Sequence, residues 1–296
     1  MTETNMKFVK DTISKIDIYL YIKAILAFLL GAGIADYLAI NLNKNLVIFG
    51  FVLLVFLLLT MTIVKAYLYL EKDPIGSKFK RSSMHEWYLL AILAVCLVVI
   101  LSMLIFIAHT QRISLSSWIF LLMCVFLSLL LGMNHKFRKV KKFKNIFEGL
   151  FICILIPAFS LSLSMPDLPA ILVFLTMPLF FIYLGTSIAL EFECYAVEIK
   201  MDKANLLTAL GWQKAIFLHH FFILFGFLLV AVIPLFGFSW SLSWPLLLMT
   251  PIGIFEIFLL HQMSLGVKPQ WNLIRITANF LIFFIMYILL FALWIN

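Results

Sequence analysis

Charge is scarce in this chain. Lys, Arg, Asp and Glu together make up 12% of its 296 residues, about half their share in soluble domains. That shortage excludes a surface solvated all round. Cysteine is also sparse: Cys96, Cys124, Cys153 and Cys194 form no C-x-x-C pair, and no Cys/His cluster has zinc spacing. The first three lie in apolar runs, where cysteine acts as a small hydrophobe, so no structural disulfide is expected. The first apolar run is not followed by a small-residue cleavage site, so no removed signal peptide is expected. What is abundant is apolar side chain. Hydrophobic residues make up 65%, Phe alone numbers 31, and mean hydropathy is +1.13. A folded chain of this size leaves about a quarter of its unfolded surface exposed. Lipid must therefore be part of its solvent.

A bilayer core of about 30 Å needs roughly 20 apolar residues per helix. Nine such runs occur, near 18–38, 45–70, 88–108, 113–133, 146–164, 168–190, 214–236, 242–263 and 274–294. They are too long for membrane strands and do not alternate. The expected fold is all-α: one polytopic domain, a bundle of nine transmembrane helices. The net charge of +8 is then a topology signal before it is a nucleic-acid one. With the N-terminus inside, 20 of the 22 Lys and Arg fall in or beside inner segments, leaving Lys44 and Arg112 outside. The positive-inside rule places the N-terminus in the cytoplasm and the C-terminus outside. A prokaryotic plasma membrane is the expected host. Lipid headgroups are expected partners, with the basic loop at 136–144 near anionic ones; nucleic acid is not.

The 14 acids are uneven. Glu71, Asp73 and Glu86 follow span two, and Glu191, Glu193, Glu198 and Asp202 follow span six. Half of all acids thus sit in two loops on one side, four spans apart. Glu198 and Asp202, at helical i,i+4 spacing, could share a divalent ion. Lys72, Lys78, Lys80, Arg81, Lys200 and Lys203 nearby could hold an anionic group such as a diphosphate. Glu86 also completes a capping box, Ser83-Met84-His85-Glu86, at the start of span three.

Inside the spans, ionisable groups are costly and usually paired. His219 and His220 lie in span seven. Glu256 falls near the middle of span eight, with His261 five residues on. Glu256 is placed to pair with a histidine or to orient an acceptor hydroxyl. Pro157, Pro166, Pro169, Pro178, Pro234, Pro245 and Pro251 fall in or at the edges of spans five to eight, where proline kinks helices.

The segment Phe192-Glu193-Cys194-Tyr195-Ala196-Val197-Glu198-Ile199-Lys200-Met201-Asp202, with Leu210-Gly211-Trp212-Gln213-Lys214-Ala215 after it, resembles the second acidic motif of the UbiA superfamily of intramembrane prenyltransferases. Tyr67-Leu68-Tyr69-Leu70-Glu71-Lys72-Asp73 and Leu30-Gly31-Ala32-Gly33-Ile34-Ala35 are weaker matches. Nine helices with polar loops after the second and sixth fit the same family. The resemblance implies transfer of a prenyl group from a polyprenyl diphosphate to an aromatic acceptor. It implies Mg2+ as cofactor, held by Asp73, Glu198, Glu71 and Asp202. Lys72, Lys80, Arg81, Lys200 and Lys203 would bind diphosphate, with Glu256 and His219 on the acceptor side. Asp73 and Glu198 are then expected to face one cavity. The sequence also departs from the family: Lys65, Ala66 and Tyr69 stand where its first motif carries Asn and two Asp, and Cys194 stands at the first Asp of the second motif. A non-catalytic relative that binds an isoprenoid or quinone, or scaffolds a membrane complex, is the alternative reading. A transporter would instead call for an inverted repeat and a midplane site.

Overall fold

The structure is a computed structural model that describes residues 18–40, 43–72, 83–110, 114–133, 142–200 and 205–295, with side chains at 69–72, 83–86 and 110 left aside. Among the described residues there are nine helical segments long and apolar enough to cross a membrane, and no strand. Helices suit lipid because each satisfies its own backbone hydrogen bonds. The chain is a polytopic helical membrane bundle.

The first four spans are uninterrupted: α1 (Ile18–Tyr37), α2 (Lys44–Lys72), α3 (Ser83–Thr110) and α4 (Leu115–Gly132). Span five, α5 (Lys144–Ser162), is not. Its middle, Leu150–Leu155, widens into a π-helical turn before α-geometry resumes at Ile156. Pro157 accounts for the break. It has no N–H for the carbonyl four residues back, and its ring crowds that carbonyl. Then follow α6 (Ala170–Glu191), the short α7 (Tyr195–Lys200) and α8 (Leu206–Leu210), and α9 (Trp212–Val232). Span eight is broken into α10 (Trp240–Leu247) and α11 (Thr250–Ser264), and α12 (Trp271–Ile295) ends the chain. Pro251 opens α11, and the join is closed by tighter i,i+3 bonds from Leu248 and Met249 to Pro245 and Leu246.

Burial ranks the spans. α5 is 72% buried, α6 67% and α1 61%, whereas α3 is only 17% buried. The first three form the centre, and α3 is a lipid-facing flank packed on α2. Close approach at the centre depends on small residues, as is usual between membrane helices. A Cβ on Gly31 of α1 would strike the Pro157 carbonyl and the Ser160 side chain of α5. The stretch 30–35 is therefore a packing surface, buried throughout. α9 lies along α6, with Gly185 against Ile223 and Gly226 against Ile182, and α11 packs on α9 through Gly253, against Phe227 and Ile223. All four cysteines are unpaired: Cys96, Cys124 and Cys153 are buried and Cys194 is exposed.

Candidate functional site

The three most buried spans send polar side chains to the same place, two from α5 and one each from α6 and α1. α5 opens with Lys144 and Glu148 one helical turn apart, their Nζ and Oε2 3.7 Å apart. Gly149 then lets α5 approach α6 closely, because a Cβ there would press on the Phe180 and Tyr183 rings. The Tyr183 hydroxyl of α6 consequently reaches Glu148 and donates to Oε1 at 2.7 Å. From α1, Lys23 places its Nζ 5.1 Å from the centre of the Tyr183 ring and 5.8 Å from that of Phe283 on α12. Lys23 is only 7% exposed. A cation over aromatic faces keeps part of the stabilisation it loses on leaving water. Lys65, near the end of α2, also lies within electrostatic reach of the Glu148 carboxylate. Three lysines therefore surround one carboxylate and one phenol, and the buried Cys153 thiol lies within the field of Lys23 and Glu148.

A second group of carboxylates borders the first. Glu191 ends α6. Its Oε2 is buried and has no hydrogen-bond partner, and both Lys144 and Glu198 act on it electrostatically. Glu198, on α7, is held in turn by Asn205, whose side-chain amide donates to Oε2 at 2.5 Å. Asn205 also caps α8, its Oδ1 accepting from Thr208 N at 2.7 Å. One residue thus ties the orientation of Glu198 to the start of the next helix. Glu193 points elsewhere, to Arg275 of α12 at 3.2 Å on the exposed surface.

A separate polar cluster lies on the far side of α6, between α9 and α11. His219 Nε2 is 3.2 Å from Glu256 Oε1, and both side chains are fully buried. His219 Nδ1 is 3.0 Å from His220 Nδ1.

The candidates named from sequence thus fall into three sets. Glu198 joins the loop-end cluster, and Lys200 on α7 is exposed. Glu256 and His219 meet each other rather than that cluster. Glu71 and Lys72 are the last residues of α2, and only their backbone is described; Asp73, Lys80, Arg81, Asp202 and Lys203 lie outside the described residues, so the separation of Asp73 from Glu198 does too. Sequence reasoning missed Glu148, Tyr183 and Glu191 as a unit with Lys23 and Lys65. The available signal was Lys144 and Glu148 at i,i+4, on the first turn of an apolar run.

The fold and site define a helical membrane protein with a lysine-rich polar cluster at one end. No protein-family model and no curated protein matches the chain.

Proposed function

We propose that the chain is a UbiA-like prenyltransferase, moving a prenyl group from a polyprenyl diphosphate to an aromatic, quinone-precursor-like acceptor within the membrane. One observation carries this reading: Lys23, Lys65 and Lys144 gather around Glu148 and Tyr183, beside Glu191 and Glu198, at the end of the bundle where α2 and α6 finish. That end is the cytoplasmic one under the charge-derived orientation.

The lysines are suited to the phosphate oxyanions of the substrate. As the allylic C–O bond breaks, negative charge builds on the departing diphosphate, and fixed positive charge in a dry site offsets it. The carbocation then bonds to an aromatic carbon of the acceptor, whose proton must leave to a base. Glu148, positioned by Tyr183, is the carboxylate placed to take it. The prenyl tail would lie along the apolar helix faces deeper in the bundle.

The residues present also suit a magnesium ion. The unpartnered buried Glu191 Oε2 and the adjacent Glu198 supply two carboxylates, and Mg2+ commonly takes one or two with phosphate oxygens and water. Among the described residues no group of three or more His, Cys, Asp or Glu gathers, so the substrate would have to complete the coordination. When bound there, Mg2+ neutralises charge on the leaving group.

Purified protein incubated with labelled prenyl diphosphates, an acceptor panel and magnesium should release diphosphate. Glu198→Ala and Asp73→Ala should abolish that release. Folded protein with neither turnover nor magnesium-dependent diphosphate binding overturns the reading. One feature favours a non-catalytic relative: Lys65, Ala66 and Tyr69 occupy the acidic positions of the first motif. In that case the same assay returns isoprenoid binding without diphosphate release.

A further inference from the structure

We infer that His220, His219 and Glu256 form a one-proton relay inside the membrane, with His220 as its mouth. Three polar groups stand in series, His220 Nδ1 to His219 Nδ1 at 3.0 Å and His219 Nε2 to Glu256 Oε1 at 3.2 Å. The two ends of the series are open. His220 Nε2 and Glu256 Oε2 are both buried without a hydrogen-bond partner. A pair retained only for structure would be expected to close its ends, because a buried polar atom without a partner loses its hydration and gains nothing in return. Two open ends instead call for a donor or acceptor that comes and goes, such as water or a proton carrier.

The array holds a proton or releases it without losing a hydrogen bond. In the loaded form Glu256 is a carboxylic acid and donates its O–H to His219 Nε2. His219 Nδ1–H donates to His220 Nδ1, and His220 carries its hydrogen on Nε2. To unload, His220 Nε2 gives its proton to the outside. His220 Nδ1 takes the proton from His219 Nδ1, and His219 Nε2 takes the one from Glu256. Glu256 is then a carboxylate accepting from His219 Nε2–H, and His219 Nδ1 accepts from His220 Nδ1–H. One proton has left, and both bonds persist with donor and acceptor exchanged. Chains of Asp, Glu and His inside membranes carry protons in this way.

Direction follows from the surroundings. His220 is half-buried whereas His219 and Glu256 are fully buried. Among the described residues, the titratable groups acting on His220 are His219 on its own helix and His261 from α11, and His261 is exposed. The path therefore runs from His220, the less buried end, through His219 to Glu256. It lies on the opposite side of α6 from Glu148, so it neither depends on the proposed transferase reading nor supports it.

Infrared spectroscopy of the full chain in lipid discs tests the relay. The carboxylic-acid carbonyl band present in wild type and absent in Glu256→Gln reports the loaded form. Transfer to D2O should shift that band, and His220→Phe should slow the shift at least tenfold. His220→Gln, a smaller change, should slow it likewise and carries the test if the Phe variant does not fold. A wild type with no such band at any pH at which the protein stays folded overturns the relay. So does exchange in the His220 variants as fast as in wild type.

Discussion

Glu148 and Glu256 are both carboxylates inside an apolar bundle, yet their surroundings differ. Glu148 accepts from Tyr183, pairs with Lys144 and lies in the field of Lys65 and Lys23. Glu256 meets one histidine, and its second oxygen has no partner. The first stands among more positive charge than it carries. The second has no Lys or Arg partner among the described residues. Location follows the same division. Glu148 sits one turn into its span, where lysine stems can reach from three helices. Glu256 sits deeper, where only histidines on the adjoining helix are within reach.

Deleting each carboxylate should separate them most strongly. Glu148→Ala leaves Lys23, Lys65 and Lys144 clustered without their central counter-charge. Lys144 is 42% exposed and Glu148 14%, so the loss should fall short of the roughly 3–5 kcal/mol of a fully buried pair, and diphosphate release should vanish with it. Glu256→Ala strands one histidine nitrogen and should cost about 1–3 kcal/mol. Thermal unfolding in one detergent compares the two, and equal losses would erase the distinction. Tyr183→Phe is the next step down. It removes a single bond to a charged acceptor, so a loss of about 1.5–3 kcal/mol is expected, read in the same unfolding assay. A negligible loss would mean that the lysines alone hold Glu148 in place.

The nine spans were readable because each is a long apolar run, and their order and approximate limits follow from length alone. Span five was not fully readable. Pro157 announces a disturbance, but a kink and a widened turn leave the same trace in sequence. The outcome depends on how α1 packs against that segment through Gly31. Glu148 was obscured for a similar reason. A single carboxylate on the first turn of a span beside the basic stretch 136–144 carries no pattern of its own, and it is Tyr183, reaching across Gly149, that makes it part of a site. Glu256 was easier, because an acid in mid-span has no solvated alternative. Its pairing with His219 required the α9–α11 contact, which no local pattern contains. The acidic loops that suggested a function contribute Glu191 and Glu198 to the described cluster, and Glu198 is placed by Asn205, a helix cap rather than a motif residue.

The smallest expected effect is the most discriminating. Glu256→Gln keeps the shape of the side chain and replaces the acid O–H by an amide N–H. If Glu256 is neutral at rest, the amide donates to His219 Nε2 as the acid did. The cost should then stay within about 1 kcal/mol, the worth of one ordinary hydrogen bond. If Glu256 is instead ionised against a protonated His219, the same substitution removes the anion and leaves a buried imidazolium with no counter-charge. That loss should approach the roughly 3–5 kcal/mol of a broken buried pair. Unfolding of the single variant beside wild type decides between them. A small cost keeps Glu256 as a neutral, proton-holding group and Glu148 as a fixed charge, whereas a large one makes both clusters ion pairs.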